Sequence, residues 1–368
     1  MARQESRAKI VGYLPTLDGW RACAVMAVIV SHFAYSASIL QNAPHWVHYV
    51  LIGSGVKGVQ LFFAISGFLI TSRLIEERNF SGRISLKRFY VRRVCRILPP
   101  AMTYLLVIAL LGVAGLIPFQ WKYLLSAVCF FRNYMPVGGG TVLDIHYWTL
   151  SVEEQFYLIW PALLVLFGLY RAKYTASFLV FAIWIWRWIA SNHIWGTSIG
   201  QGDWSRSDMC FDGLLVGCFF ALALESPQLK RWLAKYLSVG AVAAVIVIIL
   251  VSGGRTYTPG GRSIQSTLTP VLIVATILNP QTWLGRLLEI PVLRWIGRLS
   301  YSLYIWQQLF AFQRFLPSYA LQFVALFGVA AVSFYGIEKP MIRLGYRLAP
   351  PPSLAHKDLG GASLTGAD

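Results

Sequence analysis

Long apolar runs separated by short basic segments dominate the chain. Ten of these runs predict membrane-spanning helices, at residues 15–38, 50–72, 97–117, 146–170, 175–194, 207–225, 237–252, 263–279, 299–316 and 319–337. Several fall short of the roughly 20 residues that cross about 30 Å of hydrocarbon, so their ends are soft. The aromatic stretch 119–134, FQWKYLLSAVCFFRNY, reads as an interfacial or re-entrant helix. The pattern is that of an all-α, polytopic transmembrane helix bundle. It occupies a membrane domain of residues 1–345, and a Pro-, Gly- and Ala-rich stretch within 346–368 predicts a disordered cytoplasmic tail. No internal repeat is legible.

Composition supports the bilayer as solvent. The 368 residues are 57% hydrophobic and 13% charged, with a mean hydropathy of +0.58. Soluble domains carry about 25% charged residues. The net charge of +17 would suit a nucleic-acid binder if the charges formed one patch. They lie between apolar runs instead, which is how membrane topology is written, so no nucleic-acid partner is expected. With the N-terminus inside, the inner segments 1–10, 73–96, 171–173, 230–235, 286–298 and 339–357 hold 23 of the 32 Lys and Arg residues. That asymmetry predicts both termini in the cytoplasm and an even number of spans. The first apolar run carries Arg21 and His32 and is followed by no small-residue cleavage site, so it is expected to be retained. The five cysteines are scattered, with neither zinc spacing nor a disulfide framework, and no metal is expected.

Ionisable groups are costly within a bilayer, so those in the runs are candidates for chemistry. In the first run Asp18 and Arg21 share a helix face. Arg21 and His32, eleven residues apart, share it too, with about 16 Å of rise between them. A CoA thioester has a polyanionic head and a thin pantetheine arm of roughly 15–20 Å, comparable with that rise. Arginine is the preferred phosphate ligand, and histidine is suited to taking a proton from a hydroxyl. The plainer alternative is an Arg21 that snorkels and a His32 that bonds a neighbouring helix. Arg93 and Arg96 share a face just before Pro99-Pro100, where they would suit phosphates or serve only as a topology signal. Ser66-Gly67 makes a small surface for close packing or for passage of a thin ligand. In HYWTLSVEEQFYLIWP, His146, Thr149, Glu153, Tyr157 and Trp160 form one polar-aromatic face, with Trp148 beside it. Glu153, about two turns in from the outer side, could stabilise His32, bind an acceptor's hydroxyls, or be a structural ion-pair partner. The tryptophans around 184–195 and Trp204 could stack on sugars or anchor the interface.

Taken together, LDGWRACAVMAVIVSHF, LFFAISGFLI, FYVRRVCRILPP, HYWTLSVEEQFYLIWP, RSDMCFDGLLVG, IGRLSYSLYIWQQ and YGIEKP resemble the integral-membrane acyltransferase family 3, in the family's order, from residue 14 to about 340. Its members O-acylate surface polysaccharides, lipopolysaccharide, Nod factors, antibiotics and lipids. The resemblance implies a membrane-bound O-acyltransferase in a bacterial inner membrane, with acyl-CoA, above all acetyl-CoA, as co-substrate, no bound cofactor, and a carbohydrate or glycolipid acceptor. It implies that His32 is catalytic and that Arg21 belongs to the same motif, with Glu153 in the active site, and that Arg93 and Arg96 help bind the donor while Ser66, Gly67 and Phe68 line its route; the helix-face argument adds Arg21 to the donor-binding set. Asp208 and Tyr301 match family positions of less certain role. Many members carry a histidine where this chain has Gln307, so a titrating group is not expected there. Longer members carry an extracytoplasmic esterase-like domain; this chain is expected to lack one, and to transfer alone or hand the acyl group on. A glycolipid transporter or flippase is the main alternative: it explains helices and buried charges but not an Arg21–His32 stripe matched with an arginine pair.

Overall fold

The computed structural model describes residues 13–36, 44–136, 140–192, 203–237, 239–251, 258–313 and 315–351. Among them it holds thirteen α-helices and no strand. The basic N-terminus, Arg255, Arg314, Trp195 and the tail beyond residue 351 lie outside the described residues. The final helix continues to Leu348 and so takes in the first three residues of the expected tail.

Helix α1, Pro15–Ser36, is the centre of the bundle and packs against α2, His45–Ser81, and α11, Pro291–Phe312. On its far side α2 packs against α6, Ser207–Ala223, which also meets α5, Tyr147–Ser191. Glycine sets the closest approaches. A Cβ on Gly297 of α11 would collide with the backbone carbonyl of Asp18 in α1, and one on Gly67 of α2 with that of Leu214 in α6. Helix α3, Leu86–Val113, begins after a short link at Gly82–Ser85, with the Ser85 side chain capping it through the Arg88 N–H. Most of the basic segment 73–96 is therefore helix and not loop. Glu77, buried at 4% exposure, ties the two helices by accepting from Arg88 at 2.8 Å and Arg92 at 3.2 Å.

Leu106, Leu110 and Val113 of α3, Leu166 and Phe178 of α5, and Val324 and Val332 of α12 (Tyr319–Ser333) stand exposed on the rim. Such a belt is unfavourable in water and natural against lipid tails. Five helical stretches are long and apolar enough to cross a membrane, at Pro15–Ser36, Val50–Ser81, Leu86–Val113, Val142–Ser191 and Tyr319–Leu348. The pair Ser207–Ala223 and Pro227–Tyr236, bent by 112°, makes a sixth if counted as one. The sequence pattern counts ten, and the difference has identifiable sources. The runs 146–170 and 175–194 fuse into α5, broken only at Gly168, whose φ of 71° and ψ of 164° leave the helix. Helix α9, Pro259–Leu278, and α11 have the length but spend residues on inward polar groups, including Gln265, Ser266, Gln307 and Gln308.

The aromatic stretch after α3 forms α4, Trp121–Val128, and short 3-10 turns that dip into the bundle. Arg132 and Asp144 pair there at 2.8 Å, each 2% exposed. Tyr147, the first residue of α5, donates its hydroxyl to the Ala101 carbonyl, midway along α3. Helix α5 thus starts deep in the bundle, and Glu153 lies closer to the basic end than a span counted from the outer surface would place it. Arg187 and Asp212 form a second ion pair, at 2.8 Å and 0% exposure on both sides.

Candidate active site

The basic end of the bundle opens into a cavity of about 440 Å³ between α1, α2, α3 and α13 (Lys339–Leu348). Arg21, Arg73, Arg92, Arg93 and Arg96 line it, against Asp18, Glu76 and Glu77. A smaller cavity of about 80 Å³ shares Arg21, Arg93, Arg96 and Ser66, and continues inward past Glu153, Tyr301, Thr149 and Tyr304. Helical periodicity brings each of these side chains round to the same interior.

The arginines differ in how far they are already partnered. Arg73 pairs with Glu76 at 2.9 Å, and Arg92 reaches Glu77 and the Ala349 carbonyl, the latter at 3.0 Å. Arg21 meets Asp18 at 3.5 Å. Asp18 also accepts the Tyr13 hydroxyl at 2.6 Å, and burial together with that carboxylate pushes the Tyr13 phenol up from its ordinary value. Arg93 lies with its guanidinium 3.6 Å from the centre of the Tyr157 ring and its Nε 3.7 Å from Glu154. Arg96 forms no ion pair or hydrogen bond among the described residues, and Glu338 is a carboxylate within electrostatic reach of it. Glu338, 1% exposed, closes a π-helical turn at Phe334–Glu338 and accepts from the Ser302 hydroxyl at 2.8 Å. The arrangement concentrates guanidinium groups in a partly dry space, which suits a polyphosphate.

Within the lining of the small cavity, Thr149 Oγ1 and the Tyr304 hydroxyl share a hydrogen bond of 2.6 Å, and the Phe62 ring meets Tyr304 edge-on. Beyond them lies a tier of histidines and amides. His32 Nδ1 stands 2.7 Å from Gln307 Oε1, and His146 Nδ1 stands 2.9 Å from Gln308 Oε1. Tyr301, Tyr304 and Gln307 climb α11 at three-residue steps. From the N-cap His146, Thr149 and Glu153 descend α5 in the opposite sense. The polar path therefore runs from the arginines, past Glu153 and the Thr149–Tyr304 pair, towards His32. With Gln307 Oε1 accepting, Nδ1 carries the ring proton and Nε2 keeps its lone pair.

The structure gathers Arg21, Arg93, Arg96, Ser66, Glu153 and Tyr301 around the small cavity, with Asp18 in the larger one. It separates several other sequence candidates. Glu153 accepts from Ser66 Oγ at 2.9 Å, and the partner of His32 is Gln307. Gly67 is occupied in packing on Leu214, and Phe68 is 1% exposed in the core, and neither lines either of these two cavities. Trp148 packs edge-on against Phe63. Asp208 takes Trp186 Nε1 at 2.8 Å and Arg206 at 3.0 Å, away from both cavities. The glutamine pair was the signal to weigh more heavily: two adjacent amides in the apolar run YIWQQLFAF need partners on other helices.

A model described as the acyltransferase domain matches residues 14–337. Over 346 residues the chain is 31% identical to a provisionally named O-acetyltransferase of Staphylococcus aureus, covering 85% of this chain and 53% of that protein. It is 28% identical over 371 residues to the peptidoglycan O-acetyltransferase OatA of Listeria monocytogenes, covering 91% and 56%. A provisionally named peptidoglycan O-acetyltransferase of Bacillus subtilis, YrhL, is 29% identical over 327 residues, covering 80% and 48%. The chain spans about half the length of these curated relatives. No solved structure matches it.

Proposed function

The chain belongs to the acyltransferase domain family, integral-membrane acyltransferase family 3, and on that footing we propose that it moves an acetyl group from acetyl-CoA to a carbohydrate hydroxyl. The relatives named for peptidoglycan O-acetylation favour a wall polysaccharide as the acceptor over a glycolipid. The reading places the protein in a bacterial inner membrane with both termini and the arginine cavity on the cytoplasmic side. Counting α5 as two crossings, and α6, α8 (Val239–Val251), α9 and α11 as spans beside α1, α2, α3 and α12, gives ten.

One observation carries the proposal: the arginine-lined cavity continues inward past Ser66 and Glu153 to the Thr149–Tyr304 pair, one helical step along α11 from the Gln307 that meets His32. The CoA phosphates bind Arg96, Arg21 and Arg93 in place of water and of one another's repulsion. The pantetheine arm follows Ser66 and Tyr301 inward, and the roughly 16 Å of rise from Arg21 to His32 matches its reach. His32 Nε2 takes the proton of the acceptor hydroxyl while the oxygen attacks the thioester carbonyl. The carbon–sulfur bond breaks, the CoA thiolate takes a proton, and the acetyl ester remains on the sugar. Glu153, beside Ser66 and the arginines, steadies the arm and the charge of the cavity.

Membrane vesicles carrying the protein, given acetyl-CoA labelled in the acetyl group, test this. Label in polysaccharide with one free thiol released per acetyl transferred is the expected result. Polysaccharide movement with no thiol released would overturn the proposal in favour of a transporter.

A further inference from the structure

Gln307 is 0% exposed and sits in the apolar part of α11. Its oxygen faces His32 Nδ1 at 2.7 Å, while its own Nε2 has no hydrogen-bond partner among the described residues. A buried amide left half-paired is a poor stabiliser, because an unsatisfied donor costs about 1–3 kcal/mol. An apolar side chain of the same size would pack there at lower cost. What an apolar residue could not supply is an acceptor for Nδ1–H. The next residue repeats the geometry, Gln308 to His146 at 2.9 Å, so the two amides form one shelf. That shelf is held on α1 by close backbone packing at Gly297, and the His32 ring rests beside Phe312, centroids 5.8 Å apart. Ring tilt and ring proton are therefore both set from α11.

We propose that Gln307 is the positioning residue of His32, holding the imidazole as its Nδ1–H tautomer so that Nε2 is the nitrogen presented to the acceptor hydroxyl. This rests on the acyl-transfer reading and assigns Gln307 a role through His32, without contact with substrate. A histidine in the opposite tautomer presents N–H where a lone pair is needed and cannot take the proton.

The test compares wild type, Gln307→Met, Gln307→Glu and His32→Ala in membranes at matched protein level. The readouts are kcat and donor KM for acetyl transfer, and the nitrogen NMR signature of the His32 ring in protein labelled at histidine. Gln307→Met keeps shape and removes the acceptor. Its kcat is expected to fall at least tenfold, and by no more than the ~10²–10⁴-fold that a positioned base contributes, with donor KM unchanged and the ring tautomers mixed. Gln307→Glu restores an acceptor and is expected to recover kcat to within a few-fold, with Nδ1–H as in wild type. A Gln307→Met enzyme with wild-type kcat, or a wild-type ring protonated at Nε2, overturns the proposal. Should Gln307→Met fail to accumulate, Gln307→Glu and the wild-type ring signature still decide it. Full activity in His32→Ala would sink the acyl-transfer role of His32 instead, a result separate from the tautomer measurement.

Discussion

Replacing Arg96 with alanine removes the cavity arginine that has no ion pair or hydrogen bond among the described residues. Arg73, Arg92, Arg21 and Arg93 each already face a carboxylate, at 2.9, 3.2, 3.5 and 3.7 Å. An incoming phosphate therefore gains most from Arg96, whose donors it need not share. Hydrogen bonds to charged groups contribute about 1.5–3 kcal/mol, and about 1.4 kcal/mol is tenfold at 25 °C. Arg96→Ala should weaken donor binding by about 10–150-fold on that basis. Arg96→Lys keeps the charge but loses the planar fork, and should recover only part. Arg92→Ala is the control. Its side chain is fastened to Glu77 and the Ala349 carbonyl, so donor KM should stay within about twofold. The assay is acetyl transfer in detergent or nanodiscs across a range of acetyl-CoA concentrations. A raised KM with little change in kcat at saturation is the expected pattern. An Arg96→Ala enzyme with unaltered KM, or an Arg92→Ala enzyme as impaired as Arg96→Ala, would refute this ranking of the arginines.

Asp212→Asn leaves Arg187 fully buried without its counter-charge. Thermal unfolding followed by tryptophan fluorescence should register a loss of about 3–5 kcal/mol, and Arg187→Met with Asp212→Leu should return most of it. Gly297→Ala sets a methyl against the Asp18 carbonyl and pushes α11 off α1. It should cost about 1–3 kcal/mol of stability and depress kcat as well, since Gln307 moves with α11; unaltered kcat in a folded variant would count against that coupling.

The helical class and the helix faces were legible in the sequence because apolar periodicity records which side of a helix is buried. Arg21, Arg93, Arg96, Ser66 and Glu153 sit on such faces, and the structure brings them round one cavity. Partners across helices were not legible. Periodicity puts His32 and Glu153 on inward stripes, yet depth in the bundle decides who meets whom, and α5 starts midway along α3. That offset gives His32 to Gln307 and Glu153 to Ser66. Gly67 illustrates a related ambiguity, since a small residue marks either a passage or a close contact and only the position of Leu214 on α6 settles it as contact. The apolar stretches were legible as helices, but that α9 and α11 turn polar residues inward, or that α5 runs through a break at Gly168 as one element, was not.

The most direct measurement is acetyl transfer by membranes carrying wild type or His32→Ala at matched levels, with acetyl-labelled CoA and the cell's own wall polysaccharide. Label in the polysaccharide with wild type, and none above background with His32→Ala, is the result expected if the arginine cavity feeds its donor to His32. Equal label with both would contradict it, and would move the chemistry to another side chain.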